Sequence, residues 1–184
     1  MTFPVKILED PFKLIEDLLL SQKIELEYET ARKKECIMLP LYSPKTKEVQ
    51  EKSGLNQWNA DGRKRHPDEV YIPIPSWIHI VFGGFFPERD TPFNLILPSK
   101  KKILCKVCQE NSKALMSNPN KDLGEWLLRK LLKLNEYELL TYKKLEEIGV
   151  DSVEITKINS QNFEINFKKV GSFEEFESEN LLTK

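Results

Sequence analysis

Between Ser53 and His66 the chain reads SGLNQWNADGRKRH. These side chains match the groups that a DNA duplex offers. Arginine forks onto guanine, asparagine or glutamine onto adenine, and a carboxylate accepts from cytosine N4, while further cations and amides hold phosphates. Asn56, Gln57, Asn59, Asp61, Arg63, Lys64 and Arg65 supply that set, and His66 closes it. Gly54 and Gly62 allow tight turns, and Trp58 is an apolar anchor that keeps such a loop in one shape before it binds. A shorter copy of the same chemistry, Gln109-Glu110-Asn111-Ser112-Lys113, comes later. Either loop alone resembles an ordinary solvated surface; two in one small domain point to nucleic acid.

Charge is sorted along the chain, although the formal net charge is only -1. Lys45, Lys47, Lys52, Arg63, Lys64 and Arg65 gather before Pro67, and Lys100, Lys101, Lys102, Lys106 and Lys113 follow later. The ends are acidic: Glu9, Asp10, Glu16 and Asp17 at the front, Glu174, Glu175, Glu177 and Glu179 at the back. A cationic face on a nearly neutral body suits a polyanion.

Bond-breaking chemistry is poorly served. Histidine occurs only as His66 and His79, and His79 sits in the apolar run SWIHIVF, where a packed structural role is expected. His66-Pro67-Asp68 and His79-Ile80-Val81 both fail the H-x-K pattern of phosphohistidine phosphodiesterases. Glu154-Ile155-Thr156 and Glu164-Ile165-Asn166 lack the lysine of a metal-dependent nuclease, and neither G-x-S-x-G nor H-E-x-x-H is present. Cys105 and Cys108 have C-x-x-C spacing, but in a strand they would face opposite sides. Only Cys36 and the two histidines could complete a metal site. Binding is the expected activity, with no catalytic residue, metal or cofactor in this domain.

The elements that must position the two loops are short. Cys36–Tyr42, Glu69–Ile74, Phe93–Leu97, Ile103–Gln109, Ala114–Ser117, Val153–Ile158 and Phe163–Phe167 read as strands. Helices are expected from Asp10-Pro11 to Leu20, over SWIHIVF up to Gly83-Gly84, from about Pro119, and from a Thr141 cap to Gly149. The residues after Gly171 are expected to be frayed or peripheral. The pattern implies an α+β, mainly β, barrel-like domain rather than a doubly wound sheet. No apolar run suits a membrane span and MTFPVKILEDPFK does not read as a secretory signal, so a cytoplasmic setting is expected, in keeping with three cysteines that cannot all pair.

SGLNQWNADGRKRHPDEVYIPIPSWIH, FFPERDTPFNLILPSKKKILCKVCQENSKALMSNPNKDLGEWLLRKLLKL and LLTYKKLEEIGVDSVEITKI together resemble the C-terminal part of the NgoFVII-like restriction endonucleases, over about Ile37 to Gly171. The resemblance implies a B3-like, seven-stranded pseudobarrel with flanking helices over 34–171. It also implies an arm at 1–33 leading toward a phospholipase-D-like nuclease, fused or separate, and an acidic tail at 172–184. Two arms would enter the major groove of double-stranded DNA. Asn56, Gln57, Trp58, Asn59, Asp61, Arg63, Lys64, Arg65 and His66 would lie on one. Gln109, Asn111, Ser112, Lys113 and Ser117 would lie on the other, which runs from Gln109 to Asn118. Lys45, Lys47, Lys100, Lys101 and Lys102 are expected on the backbone. Asp61 would either read a cytosine or pair with Arg63 or Arg65. The competing classes are a divergent metal-dependent endonuclease and a protein-interaction module built on Trp58 and the acidic ends.

Overall fold

The computed structural model describes residue 20 and residues 35–181. The chain divides into units 1–35 and 36–184, and only the second is described below. Apart from Leu20, the expected Asp10–Leu20 helix and the 1–33 arm lie outside the described residues.

Seven strands form one sheet: β1 (Cys36–Pro40), β2 (Ile72–Pro73), β3 (Phe93–Ile96), β4 (Lys102–Cys108), β5 (Ala114–Ser117), β6 (Val150–Asn159) and β7 (Asn162–Lys169). Their order is β1-β6-β7-β3-β4-β5-β2, and the end members β1 and β2 lie in contact, so the sheet curls into a nearly closed barrel. This is the expected seven-stranded pseudobarrel. All neighbours are antiparallel except β3 and β7, which run parallel with Leu95 opposite Phe163.

Period-two alternation fills the interior. Phe93, Leu95, Ile103, Cys105, Val107, Val153, Ile155, Phe163 and Ile165 are all buried. Phe93 and Phe163 pack with ring centroids 4.8 Å apart, and Phe85 and Phe86 close around Phe163 at 5.7 Å each. Cys108, at the end of β4, is also buried, and desolvation raises both β4 thiols above their ordinary range. The short helix α1 (Ser76–Val81) follows β2, and α2 (Asp122–Gly124) runs into a π-helical segment, Glu125–Leu131, that buries Trp126, Leu127 and Leu128. Helix α3 (Tyr142–Ile148) has the expected Thr141 cap and ends on Gly149 at φ 83°.

Two elements depart from expectation. The Glu69–Ile74 strand shrinks to Ile72–Pro73: at its front Glu69 N–H and Tyr71 N–H donate to the His66 and Gly54 carbonyls of the loop instead of to a strand, and at its rear Pro73 and Pro75 have no N–H to donate. The residues after Gly171 are neither frayed nor peripheral: Ser172–Leu181 form α4, with Phe173 fully buried and Phe176 packed 5.6 Å from Trp77 and 5.7 Å from Phe82. Phe173 and Phe176 share one helix face, and that stripe outweighs the acidic residues around it.

Candidate nucleic-acid interface

The long connection from β1 to β2 carries the first polar loop, and it is built, not floppy. A 3-10 turn spans Gly54–Asn59. Gly54, at φ 60°, turns its carbonyl to accept from Tyr71 N–H at 3.3 Å, which lays the turn along β2. Asn56 is fully buried: its Nδ2 donates to the carbonyls of Gln50 at 3.1 Å and Leu140 at 2.9 Å, and its Oδ1 accepts from Leu140 N–H at 2.9 Å. Trp58 meets Tyr137 edge-on, with centroids 5.5 Å apart. Asn59 Nδ2 donates to the Glu51 carbonyl at 3.1 Å.

Arg129, on the π-helical segment, fastens the far end of the loop. Its Nε donates to Asp68 Oδ1 at 2.6 Å, its Nη2 to the Pro67 carbonyl at 3.1 Å, and its Nη1 to the carbonyls of Leu134 and Asn135. Gly124 packs so tightly on the backbone of Asp68 that no side chain fits between them.

Between these fixed ends Asp61, Gly62, Arg63, Lys64 and His66 are exposed, and Gln57, Trp58, Asn59 and Arg65 are half-buried. Two of the cations are held by carboxylates. Lys52 Nζ donates to Asp61 Oδ2 at 2.8 Å, and this bond pulls the Asp61 carboxyl below its ordinary range and lifts the Lys52 ammonium above its own. Asp61 thus pairs with Lys52, not with Arg63 or Arg65, the two protein partners expected for it as the alternative to a cytosine. Arg63 Nη2 donates to Glu69 Oε2 at 2.9 Å. Arg65 Nη1 is shielded from solvent and has no hydrogen-bond partner among the described residues. His66 Nδ1 accepts from Asp68 N–H at 3.2 Å.

The second loop joins β4 to β5. Gln109, Asn111 and Ser112 adopt φ of 66°, 57° and 54°, making a cramped turn with Gln109, Asn111 and Lys113 exposed and Ser112 half-buried. Two backbone contacts fix its base: His79 Nε2 donates to the Ser112 carbonyl at 3.0 Å, and Ile74 N–H to the Lys113 carbonyl at 2.8 Å. His79 therefore has the packed structural role expected of it.

Two expected readers are structural instead. Asn56 is buried with its amide engaged by backbone, and Ser117 is fully buried with its Oγ accepting from Leu123 N–H at 2.9 Å at the start of α2. Among the expected backbone contacts, Lys45, Lys101 and Lys102 are exposed. Lys100, also exposed, lies 3.6 Å from Glu164. Lys47 is engaged within the fold: it pairs with Glu174 and lies over the rings of Tyr42 at 4.9 Å and Tyr142 at 5.5 Å.

The antiparallel β2–β5 ladder relates the two loops. The first loop enters at the Ser117 end of β5 and the second leaves from the Lys113 end. The turn at Gly54 lies beside that ladder: a side chain there would touch Pro73, which is opposite Ala114.

Arg129, Tyr137 and Glu69 were not among the expected site residues, and Lys52 was read only as one cation of the charged stretch. For Lys52 and Glu69 the signal was present, as charges flanking a cationic loop. For Arg129 and Tyr137 it lay some 60 to 80 residues away, visible only once the chain folds.

A nearly closed seven-stranded barrel bearing two polar, cation-bearing loops defines a DNA-binding pseudobarrel. The family model of the NgoFVII C-terminal B3-like DNA-binding domain matches residues 30–159, and the chain belongs to that family. The domain is accordingly a DNA-binding domain. No curated protein matches the chain. A solved structure of a hypothetical Arabidopsis thaliana protein is similar at 12% identity with a TM-score of 0.34, covering 74% of this chain and 91% of that one. Among the described residues no helix is long and apolar enough to cross a membrane.

Proposed function

We propose that this domain recognises a specific short site in double-stranded DNA by placing its two polar loops in the major groove. In this reading Gln57, Trp58, Asn59, Asp61, Arg63, Lys64, Arg65 and His66 act from one side, and Gln109, Asn111, Ser112 and Lys113 from the other. Lys45, Lys100, Lys101 and Lys102 hold phosphates. Asn56 and Ser117 shape the loops from beneath. The domain supplies target recognition to a restriction endonuclease whose cutting is done by a phospholipase-D-like nuclease, fused or separate, and no cofactor is needed for recognition.

The observation that carries this reading is the clamping of the first loop at both ends. Asn56 and Arg129 order the backbone beforehand, so presenting Arg63, Lys64, Arg65 and His66 costs little entropy on binding. Selection from a random duplex library tests it. One recovered site, bound with a steep loss of affinity as salt rises, is the expected result. Equal binding to every duplex overturns it.

A further inference from the structure

Tyr137 is an aromatic ring that the fold leaves 53% exposed, in the segment between the π-helical turns and α3. Its backbone is left-handed at φ 61°, a conformation that a bulky side chain adopts only when its surroundings impose it. Those surroundings are specific. On one side Leu140 is locked to Asn56; on the other, Arg129 holds the carbonyls of Leu134 and Asn135 with the same guanidinium that grips Pro67 and Asp68. Within the turn, Glu138 Oε2 accepts from both Asn135 N–H and Asn135 Nδ2, at 2.9 and 3.1 Å, and Glu138 Oε1 lies 3.3 Å from Lys144 Nζ. The ring is thus carried by the same scaffold that fixes both ends of the Ser53–His66 loop, and it meets Trp58 of that loop edge-on.

A ring needed only to prop Trp58 would not have to be strained, exposed or polar at its tip. The phenol hydroxyl has no hydrogen-bond partner among the described residues. We propose that Tyr137 is a third DNA-contacting element, its ring lying along a sugar and its hydroxyl donating to a phosphate of the duplex read by the Ser53–His66 loop. The proposal rests on that reading of the loop. Tyrosine is among the side chains that hold phosphate oxygens, and such a contact fixes register without reading bases.

The test compares the intact chain with Tyr137→Phe, Tyr137→Asn and Lys64→Ala, titrated across salt against the duplex recovered by the selection above. Tyr137→Phe keeps the ring and loses the hydroxyl; affinity should fall about tenfold with thermal stability and salt slope unchanged, since a neutral donor releases no counterion. Tyr137→Asn suits a left-handed backbone, and that relief offsets the lost ring contact with Trp58, so it should bind at least as weakly while unfolding at about the native temperature. Native affinity in both Tyr137 variants, with a loss in Lys64→Ala, overturns the contact and leaves the loop reading standing. Native affinity in all three overturns both.

Discussion

Asn56 and Leu140 exchange a reciprocal pair of hydrogen bonds across the domain: the amide Nδ2 donates to the Leu140 carbonyl and the amide Oδ1 accepts from the Leu140 N–H, both at 2.9 Å. An asparagine side chain here completes a backbone that no strand neighbour serves. Asn56→Ala leaves both Leu140 groups buried without this partner, each costing about 1–3 kcal/mol, so a loss on the order of 3 kcal/mol is expected. Urea unfolding measures it as a lower midpoint at unchanged slope. A stability within about 0.5 kcal/mol of the native chain, the usual range for surface substitutions, would return Asn56 to the set of possible DNA readers.

Gly124 faces the backbone of Asp68. A methyl group added there would lie 2.7 Å from the Asp68 carbonyl carbon and 2.9 Å from its Cα, closer still to its oxygen, and a backbone cannot swing aside as a side chain does. Gly124→Ala must therefore displace Pro67-Asp68 and pull Asp68 from Arg129. Overpacking and a broken ion pair together predict a loss of roughly 3 kcal/mol or more. Differential scanning calorimetry checks it, and a native melting temperature would show that Asp68 and α2 have room to separate.

How much of this was legible depends on the range over which each residue acts. The β3–β4 and β6–β7 hairpins were readable because alternation at Phe93–Leu95, Ile103–Val107 and Phe163–Ile165 is local. The Thr141 cap and the Gly149 stop were readable for the same reason: Thr141 Oγ1 accepts from Lys144 N–H at 3.2 Å. The sequence could not distinguish Asn56 from Asn59, because two amides in one polar run differ only through a partner 84 residues away. Ser117 misled likewise, since its hydroxyl serves a helix that begins just beyond a turn. The final helix was hidden because Phe173 and Phe176 read as isolated apolar residues in an acidic stretch until Trp77 and Phe82 are brought beside them.

Lys52 and Asp61 hold one another at the edge of the cationic loop. Asp61 is depressed, so its contribution is complete above the ordinary carboxylate range and disappears as pH falls through its lowered value, below about pH 4. Lys52 is raised, so its contribution is complete below the ordinary ammonium range and disappears as pH rises through its raised value, above about pH 10. Between those limits the pair stays charged, and acidification from pH 8 to pH 6 does not release Lys52. Asp61→Asn releases it. That variant should bind random-sequence duplex more tightly at low salt, with the slope of log affinity against log salt steeper by about 0.9, one phosphate contact. An unchanged slope in fluorescence anisotropy would place Lys52 away from the DNA.

Arg65 and Lys64 are neighbours with different expected duties. Arg65 is half-buried with its Nη1 shielded from solvent, as suits a guanidinium held in one orientation to present its other donors; Lys64 is exposed, as suits a phosphate. Arg65→Ala should cost about 1–3 kcal/mol on the selected site and relax base preference at one position, the signature of a lost bidentate contact to guanine. Lys64→Ala should weaken all duplexes evenly and reduce the salt slope by about 1. Arg63 lies between these cases, because the Glu69 carboxylate already occupies its Nη2. Glu69→Gln keeps the side chain's shape, removes the charge and should raise affinity for any duplex. Repeating the selection with each variant separates the roles: a shifted consensus marks a reader, an unshifted one a phosphate contact. An Arg65→Ala consensus identical to the native one would transfer base reading to Gln57, Asn59 and the Gln109–Lys113 turn.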